Sequence, residues 1–334
     1  MGSHLLNAIA SRLNRHATGF MAGSVVVGLI WQDLARWLAP LVLYASMITI
    51  FISAVRLDER LLVHWLKRPA LPIMIVLWTT LILPAVALGL VLWLPVPPSA
   101  ANALLLIAAT APIISVGTYC LLLGTDTELL SLSVLPATAL SIFTLPAFAA
   151  VIGLPGLDPS SMALTLLGVV GVSLGGALLV RTRIPFEAVG RLAAPLDILM
   201  LMMVAVVAIG VTDGLRAVLL ESHALAIYAA LVALGINVLQ QALTAGIFSL
   251  FQSRRIAASV ALVAGFRNMA LLLGLTLGRV DRETQLILVA GQLMLFLLPW
   301  PMRRVYTRYG VAAQQPTSAP VPSQSPDHRG GTSR

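Results

Sequence analysis

Apolar residues come in long runs along this chain, and all but three of the charged residues fall in the stretches between or beyond them. Apolar runs recur at about 17–34, 38–55, 70–94, 99–124, 129–153, 161–180, 192–211, 223–251, 256–278 and 285–301; seven hold no charged residue, and Asp33, Asp197 and Arg267 are the single charges within 17–34, 192–211 and 256–278. An α-helix crosses the ~30 Å hydrocarbon core of a bilayer in about 20 residues, so each run is long enough to span. The pattern predicts one membrane domain over 17–309, preceded by a short N-terminal segment (1–16). After Gly310 the chain is rich in Pro, Ser, Gln and Thr, has nothing to bury, and reads as a disordered tail over 310–334. The first run follows Arg12, Arg15 and His16, as a signal peptide would, yet no Ala-x-Ala cleavage site follows it. It is therefore expected to remain as a helix.

Composition strengthens this picture and removes rivals. Of 334 residues, 59% are hydrophobic and 10% charged, against roughly 45–50% and ~25% in soluble domains. Cys120 is the one cysteine, which excludes a disulfide framework and a thiolate-rich metal site. The sequence has no Walker-type loop, no Gly-x-Gly-x-x-Gly, no His-Glu-x-x-His and no Gly-x-Ser-x-Gly. Neither a nucleotide cofactor nor hydrolytic chemistry is expected, and no enzyme activity is read here. The formal charge of +8 does not signal nucleic acid, because the arginines form no stripe and do not interleave with aromatics. No obligatory protein partner is evident; the lipid bilayer is the implied surrounding.

The basic residues instead report orientation. With the N-terminus inside, 16 of the 21 Lys and Arg fall on the cytoplasmic side and four, Arg36, Arg216, Arg279 and Arg282, fall outside. Basic loops stay cytoplasmic, so an even number of spans with both termini inside is predicted, in a bacterial inner or plasma membrane. The starts at 38, 70, 99 and 129 recur at 192, 223, 256 and 285, that is 153–157 residues later. Five spans per half is odd, so the halves would run oppositely through the bilayer, the inverted repeat common in secondary transporters.

Arg267, the remaining basic residue, lies mid-way along the ninth span in Val263-Ala-Gly265-Phe266-Arg267-Asn268. Its repeat partner, the fourth span, carries Thr110-Ala-Pro112-Ile-Ile-Ser115-Val-Gly117-Thr118-Tyr119-Cys120. Proline removes a backbone donor and glycine loosens the chain, so both spans are expected to break near mid-membrane, where irregular backbone must line protein or a wet cavity. A central arginine costs roughly 2.5–3.5 kcal/mol to insert and so requires a partner or water. Two readings stand: an interhelical ion pair with Asp197, or a fixed positive charge at a binding cavity. Asn237, Gln240 and Gln241 suit interhelical hydrogen bonding. The pairs Gly19/Gly23, Gly171/Gly175 and Gly274/Gly278 suit close-packed helix faces, and Met200, Met202 and Met203 read as filler.

Ala111-Pro112-x-x-Ser115, with Gly117-Thr118, Gly124-Thr125-Asp126 and the Leu-Ser-Val strip at 132–134, resembles the crossover region of the bile acid:sodium symporter family. There an Ala-Pro-Gly-Gly segment precedes Ser-Asn and Gly-Asp. The ninth span is similar to that family's Glu-x-Gly-x-Gln-Asn, with Gly265 and Asn268 in register. The resemblance implies an all-α membrane fold of ten helices in two inverted five-helix repeats. The fourth and ninth helices would be discontinuous and cross at mid-membrane, with a core of helices 3–5 and 8–10 and a panel of helices 1, 2, 6 and 7. Its implied substrate site is Ser115, Gly117, Thr118, Gly265, Arg267 and Asn268.

The family's sodium ligands are altered. Gly117-Thr118 replaces Ser-Asn, Val263 stands at the Glu position, Arg267 at the Gln position and Thr79 at the Gln of the third helix, while Ser133 survives on the fifth with Ala137 in place of Thr. A hard cation needs several oxygen ligands. A site that loses its carboxylate and gains a guanidinium is not expected to hold sodium. The implied function is secondary transport of a small organic anion without the usual sodium coupling. An arsenite-efflux permease of the same fold and a non-transporting membrane scaffold or sensor are the alternatives.

Overall fold

A computed structural model describes residues 17–57, 69–113, 127–154, 156–298, 302 and 304–305. The N-terminal segment, the tail and the predicted site residues Ser115, Gly117 and Thr118 lie outside them. The described chain is helical, and six of its helices are long and apolar enough to cross a membrane. The protein is accordingly an all-α membrane protein of the multi-pass kind.

The helices are α1 (Ala17–Ile30), α2 (Gln32–Leu38), α3 (Val42–Val55), α4 (Ala70–Leu77), α5 (Leu83–Trp93), α6 (Pro98–Ala109), α7 (Thr127–Ile152), α8 (Pro159–Leu166), α9 (Val172–Arg183), α10 (Phe186–Arg191), α11 (Ala193–Gly210), α12 (Leu215–Glu221), α13 (His223–Ser249), α14 (Arg254–Gly265), α15 (Met269–Thr276) and α16 (Arg282–Leu297). A 3₁₀ turn, Ala39–Leu41, joins α2 to α3 without a stop. Widened π turns at Trp78–Ile82 and Leu167–Gly171 join α4 to α5 and α8 to α9. Asp158, Ser222, Ser253, Asn268 and Asp281 cap the helices that follow them, each accepting a backbone N–H of the first turn.

The sequence pattern errs at the joints. The first break falls at Trp31, not between 34 and 38, because Pro40 sits in the opening turn of the following segment and does not interrupt it. The expected loops at 181–191 and 211–223 each hold a short helix, α10 and α12. The glycine pairs are also misread. A Cβ at Gly19, Gly23 or Gly175 would meet nothing, whereas Gly274 lies where a Cβ would stand 2.9 Å from Leu43 of α3. Of those six, Gly274 alone marks a close helix contact.

Packing gathers the helices into two groups. α11 lies against α1 and α3, and α9 against α3; α13 lies against α14 and α16, and α6 against α5, α7 and α16. α15 meets α3 where the groups join. Leu92, Phe143, Leu164 and Leu178 are exposed on the outside, a surface suited to lipid and not to water. Trp31, Trp37 and Trp93 are exposed at helix ends, where amphipathic rings favour the bilayer interface.

Candidate functional site: a guanidinium in a carbonyl cage beside a small cavity

Pro112 shapes the first half of the site. Its ring pushes Ala111 out of the helical region, so α6 ends at Ala109 and Thr110 is extended at ψ 146. The second half is the break between α14 and α15, where Phe266 turns away at φ −95, ψ 85 and Asn268 caps the next helix. These two stretches pair as an antiparallel bridge between Pro112 and Arg267. The Ile113 N–H donates to the Phe266 carbonyl at 2.8 Å and the Asn268 N–H to the Ala111 carbonyl at 2.7 Å. Pro112 and Arg267 thus face one another as the pair that exchanges no hydrogen bond, the position in such a ladder where a missing N–H does no harm.

Arg267 is wholly buried, with 0% of its surface exposed. Its Nη1 donates to the carbonyls of Thr79 at 3.0 Å and Thr110 at 3.1 Å, and its Nε donates to the Ala264 carbonyl at 2.8 Å and more weakly to Gln240 Oε1 at 3.4 Å. The local folding of the chain leaves each of these carbonyls unclaimed. In the π turn the Leu83 N–H is taken by the Trp78 carbonyl. The next residue, Pro84, has no N–H to offer Thr79. Thr110 lies just past the end of α6 and Ala264 in the last turn of α14, where helix carbonyls have no successor. A cation suits the negative ends of two helices. Nη2 and the Gln240 Nε2 carry no partner among the described residues.

The ion pair with Asp197 is not formed. Asp197 Oδ1 binds Nη1 of Arg56, the residue that caps the C-terminus of α3, at 2.6 Å, and among the described residues no carboxylate lies within ion-pair distance of Arg267. Carbonyl dipoles therefore hold a charge that no anion among the described residues neutralises.

A layer of amides supports the bridge. Asn237 Nδ2 donates to the Gly265 carbonyl at 2.7 Å, and Gln241 Nε2 donates to Asn237 Oδ1 at 2.5 Å. Gly265 is required because a Cβ there would stand 2.4 Å from Gln241 Cγ. Among the positions that the resemblance aligns with ion ligands, Thr79 and Arg267 come together through the Thr79 carbonyl. Val263 is buried in the main apolar core, and Ser133 is buried in α7.

Beside the bridge, between the two helix groups, lies a cavity of about 60 Å³. Its wall includes Met21 of α1, Thr49 and Ser53 of α3, Met200 of α11, Asn268 and Ala270, and Gln292 of α16. Of the predicted substrate residues Asn268 lines it; Arg267 and Gly265 do not. Gln292 was missed although a lone amide inside the apolar stretch Leu286–Phe296 is visible in the sequence, as is the polar 46, 49, 53 spacing along one face of α3. Met200, read as filler, is part of the wall. No family model matches the chain, and no curated protein matches it.

Proposed function

We propose that the protein is a secondary transporter resembling the bile acid:sodium symporters, which moves a small organic anion through the cavity between the two helix groups without sodium coupling. The observation that carries this reading is the Arg267 guanidinium, held by the carbonyls of Thr79, Thr110 and Ala264. A ring of backbone carbonyls is an environment for a cation, and here a tethered cation fills it permanently. The charge does not line the cavity, but the next residue, Asn268, does. A unit charge about 8 Å from an anion at an effective dielectric near 20 would favour it by ~2 kcal/mol, the order of effect a buried guanidinium near the cavity can exert. In this reading the chain has ten spans in two inverted repeats, the bridge of Pro112 and Arg267 is the mid-membrane crossover, and the group containing α1, α3, α9 and α11 is the panel that moves against the rest.

The test is uptake of labelled small carboxylates into liposomes containing the purified protein. Saturable uptake is expected, unchanged when sodium is replaced by potassium at equal ionic strength. Absence of uptake under any imposed gradient overturns the reading in favour of a membrane scaffold, and a strict requirement for sodium overturns the built-in cation.

A further inference from the structure

The cavity wall is more specific than an anion site requires. Asn268 spends its Oδ1 on the Leu271 N–H at 3.1 Å, leaving its Nδ2 as the group it offers the cavity. The Ala270 N–H, in the first turn of α15, has no carbonyl partner among the described residues, because the Phe266 carbonyl one turn back accepts from Ile113. These two donors stand at the positive end of an eight-residue helix. Across the cavity is Gln292, 3% exposed. Among the described residues its Oε1 is buried without a partner, and its Nε2 makes no hydrogen bond to any of them. Such an amide is costly to leave unpaired; it requires one donor and one acceptor from whatever fills the cavity. The Ser53 hydroxyl stands on the same wall, while Thr49 donates to the Ser46 carbonyl at 2.8 Å.

We infer that the cavity binds a small carboxylate carrying a hydroxyl on or next to the α-carbon. The carboxylate accepts from the Ala270 N–H and the Asn268 amide. The hydroxyl donates to the Gln292 carboxamide oxygen and the amide nitrogen returns a bond to the ligand. A water occupies about 10–15 Å³ by the same measure, so the 60 Å³ present takes about four to six non-hydrogen atoms, the size of glycolate or lactate. This assignment rests on the cavity being the anion site of the reading above, whether or not the bound anion crosses the membrane.

The experiment is calorimetric titration of the purified full-length protein in detergent with lactate, propionate and propane-1,2-diol. Propionate lacks the hydroxyl and the diol lacks the charge. Lactate is expected to bind about tenfold more tightly than propionate, the factor corresponding to one net hydrogen bond, and by more than that over the diol, which forgoes the charge as well. In Gln292→Leu the lactate affinity is expected to fall to that of propionate, with propionate unchanged. The wild-type ratios decide the matter even where that variant does not fold, and Gln292→Asn, which keeps both hydrogen-bonding ends but withdraws them, is expected to give an intermediate loss. Equal affinities for lactate and propionate, tighter binding of the diol, or no binding of lactate overturns the assignment. Liposomes that carry lactate and propionate equally overturn it and leave transport standing; lactate binding without flux ends the transport reading and leaves this site in place.

Discussion

Arg267 changes what its own removal should do. From sequence, a cation facing a cavity is expected to be dispensable for folding. In the structure its guanidinium is the donor to three otherwise unclaimed carbonyls, those of Thr79, Thr110 and Ala264. Unsatisfied buried polar groups cost about 1–3 kcal/mol each, so Arg267→Ala is expected to destabilise the protein by roughly 3 kcal/mol or more, read as a lower melting temperature. The vacated cage retains its oxygens, so millimolar methylguanidinium should restore part of the lost melting temperature to Arg267→Ala and none to the wild type. Arg267→Lys keeps the charge without the planar fork and should fall between. A melting temperature for Arg267→Ala equal to that of the wild type would remove the cage from the account. Asp197 stands apart from this: its pair with Arg56 is partly exposed, and Asp197→Asn is expected to cost no more than about 1 kcal/mol.

At the scale of the element, the cage depends on where helices fail. Pro84 denies Thr79 a helical partner one turn on, and Pro112 ends α6 so that Thr110 turns its carbonyl outward. Pro84→Ala supplies an N–H that competes for the Thr79 carbonyl. In a double-mutant cycle on melting with Arg267→Lys, the two changes are expected to be non-additive by about 0.5–3 kcal/mol, as partners sharing one hydrogen-bond network are. Additivity would show that the π turn and the guanidinium are independent. Gly265→Ala should be destabilising by about 1–3 kcal/mol despite the better helix propensity of alanine, because the methyl enters the space of Gln241 and breaks its bond to Asn237. The helix starts carry a pH dependence. Burial pushes the Asp281 carboxyl up, but the Thr284 hydroxyl at 2.6 Å and N–H at 2.8 Å together hold it below the usual carboxylate range. A carboxyl whose folded value is depressed stabilises above its unfolded value and loses that contribution as pH falls through the folded one. Acidification below the ordinary carboxylate range should therefore lower the melting temperature of the wild type more than that of Asp281→Asn.

For the whole molecule, two measurements bear on orientation and coupling. If the ten-span reading holds, 16 basic residues fall on the side of the N-terminus against four on the other; it predicts that Leu62→Cys and Phe186→Cys, made in a Cys120→Ser background, are labelled from the cytoplasm and protected from an impermeant reagent applied outside. Labelling of either from the periplasmic side would invert or break the topology. Sodium should raise the melting temperature no more than potassium at equal ionic strength. A ligand specific to the native state stabilises by RT ln(1+[L]/Kd), about 2.7 kcal/mol at one hundred times Kd. A saturable sodium-selective rise would mean that oxygens elsewhere rebuild a site.

The sequence by itself determined the class of solvent around this protein, most helix positions, both break points and the residue that matters between them. Those follow from properties local to the chain: run length against bilayer thickness, a proline without an N–H, an asparagine able to cap, an arginine too costly to leave in lipid. What Arg267 touches was decided by tertiary structure alone. The carbonyls it binds come from residues 79, 110 and 264, far apart in the chain, and a backbone carbonyl is the same group in every residue, so no residue type announces it. Asp197, the charge the sequence offered as partner, was claimed by Arg56 instead. Gln292 was legible as a polar residue in an apolar helix, but whether it pairs with a neighbouring helix or faces a cavity depends on how the two helix groups meet, and only the packing of α15 against α3 set that.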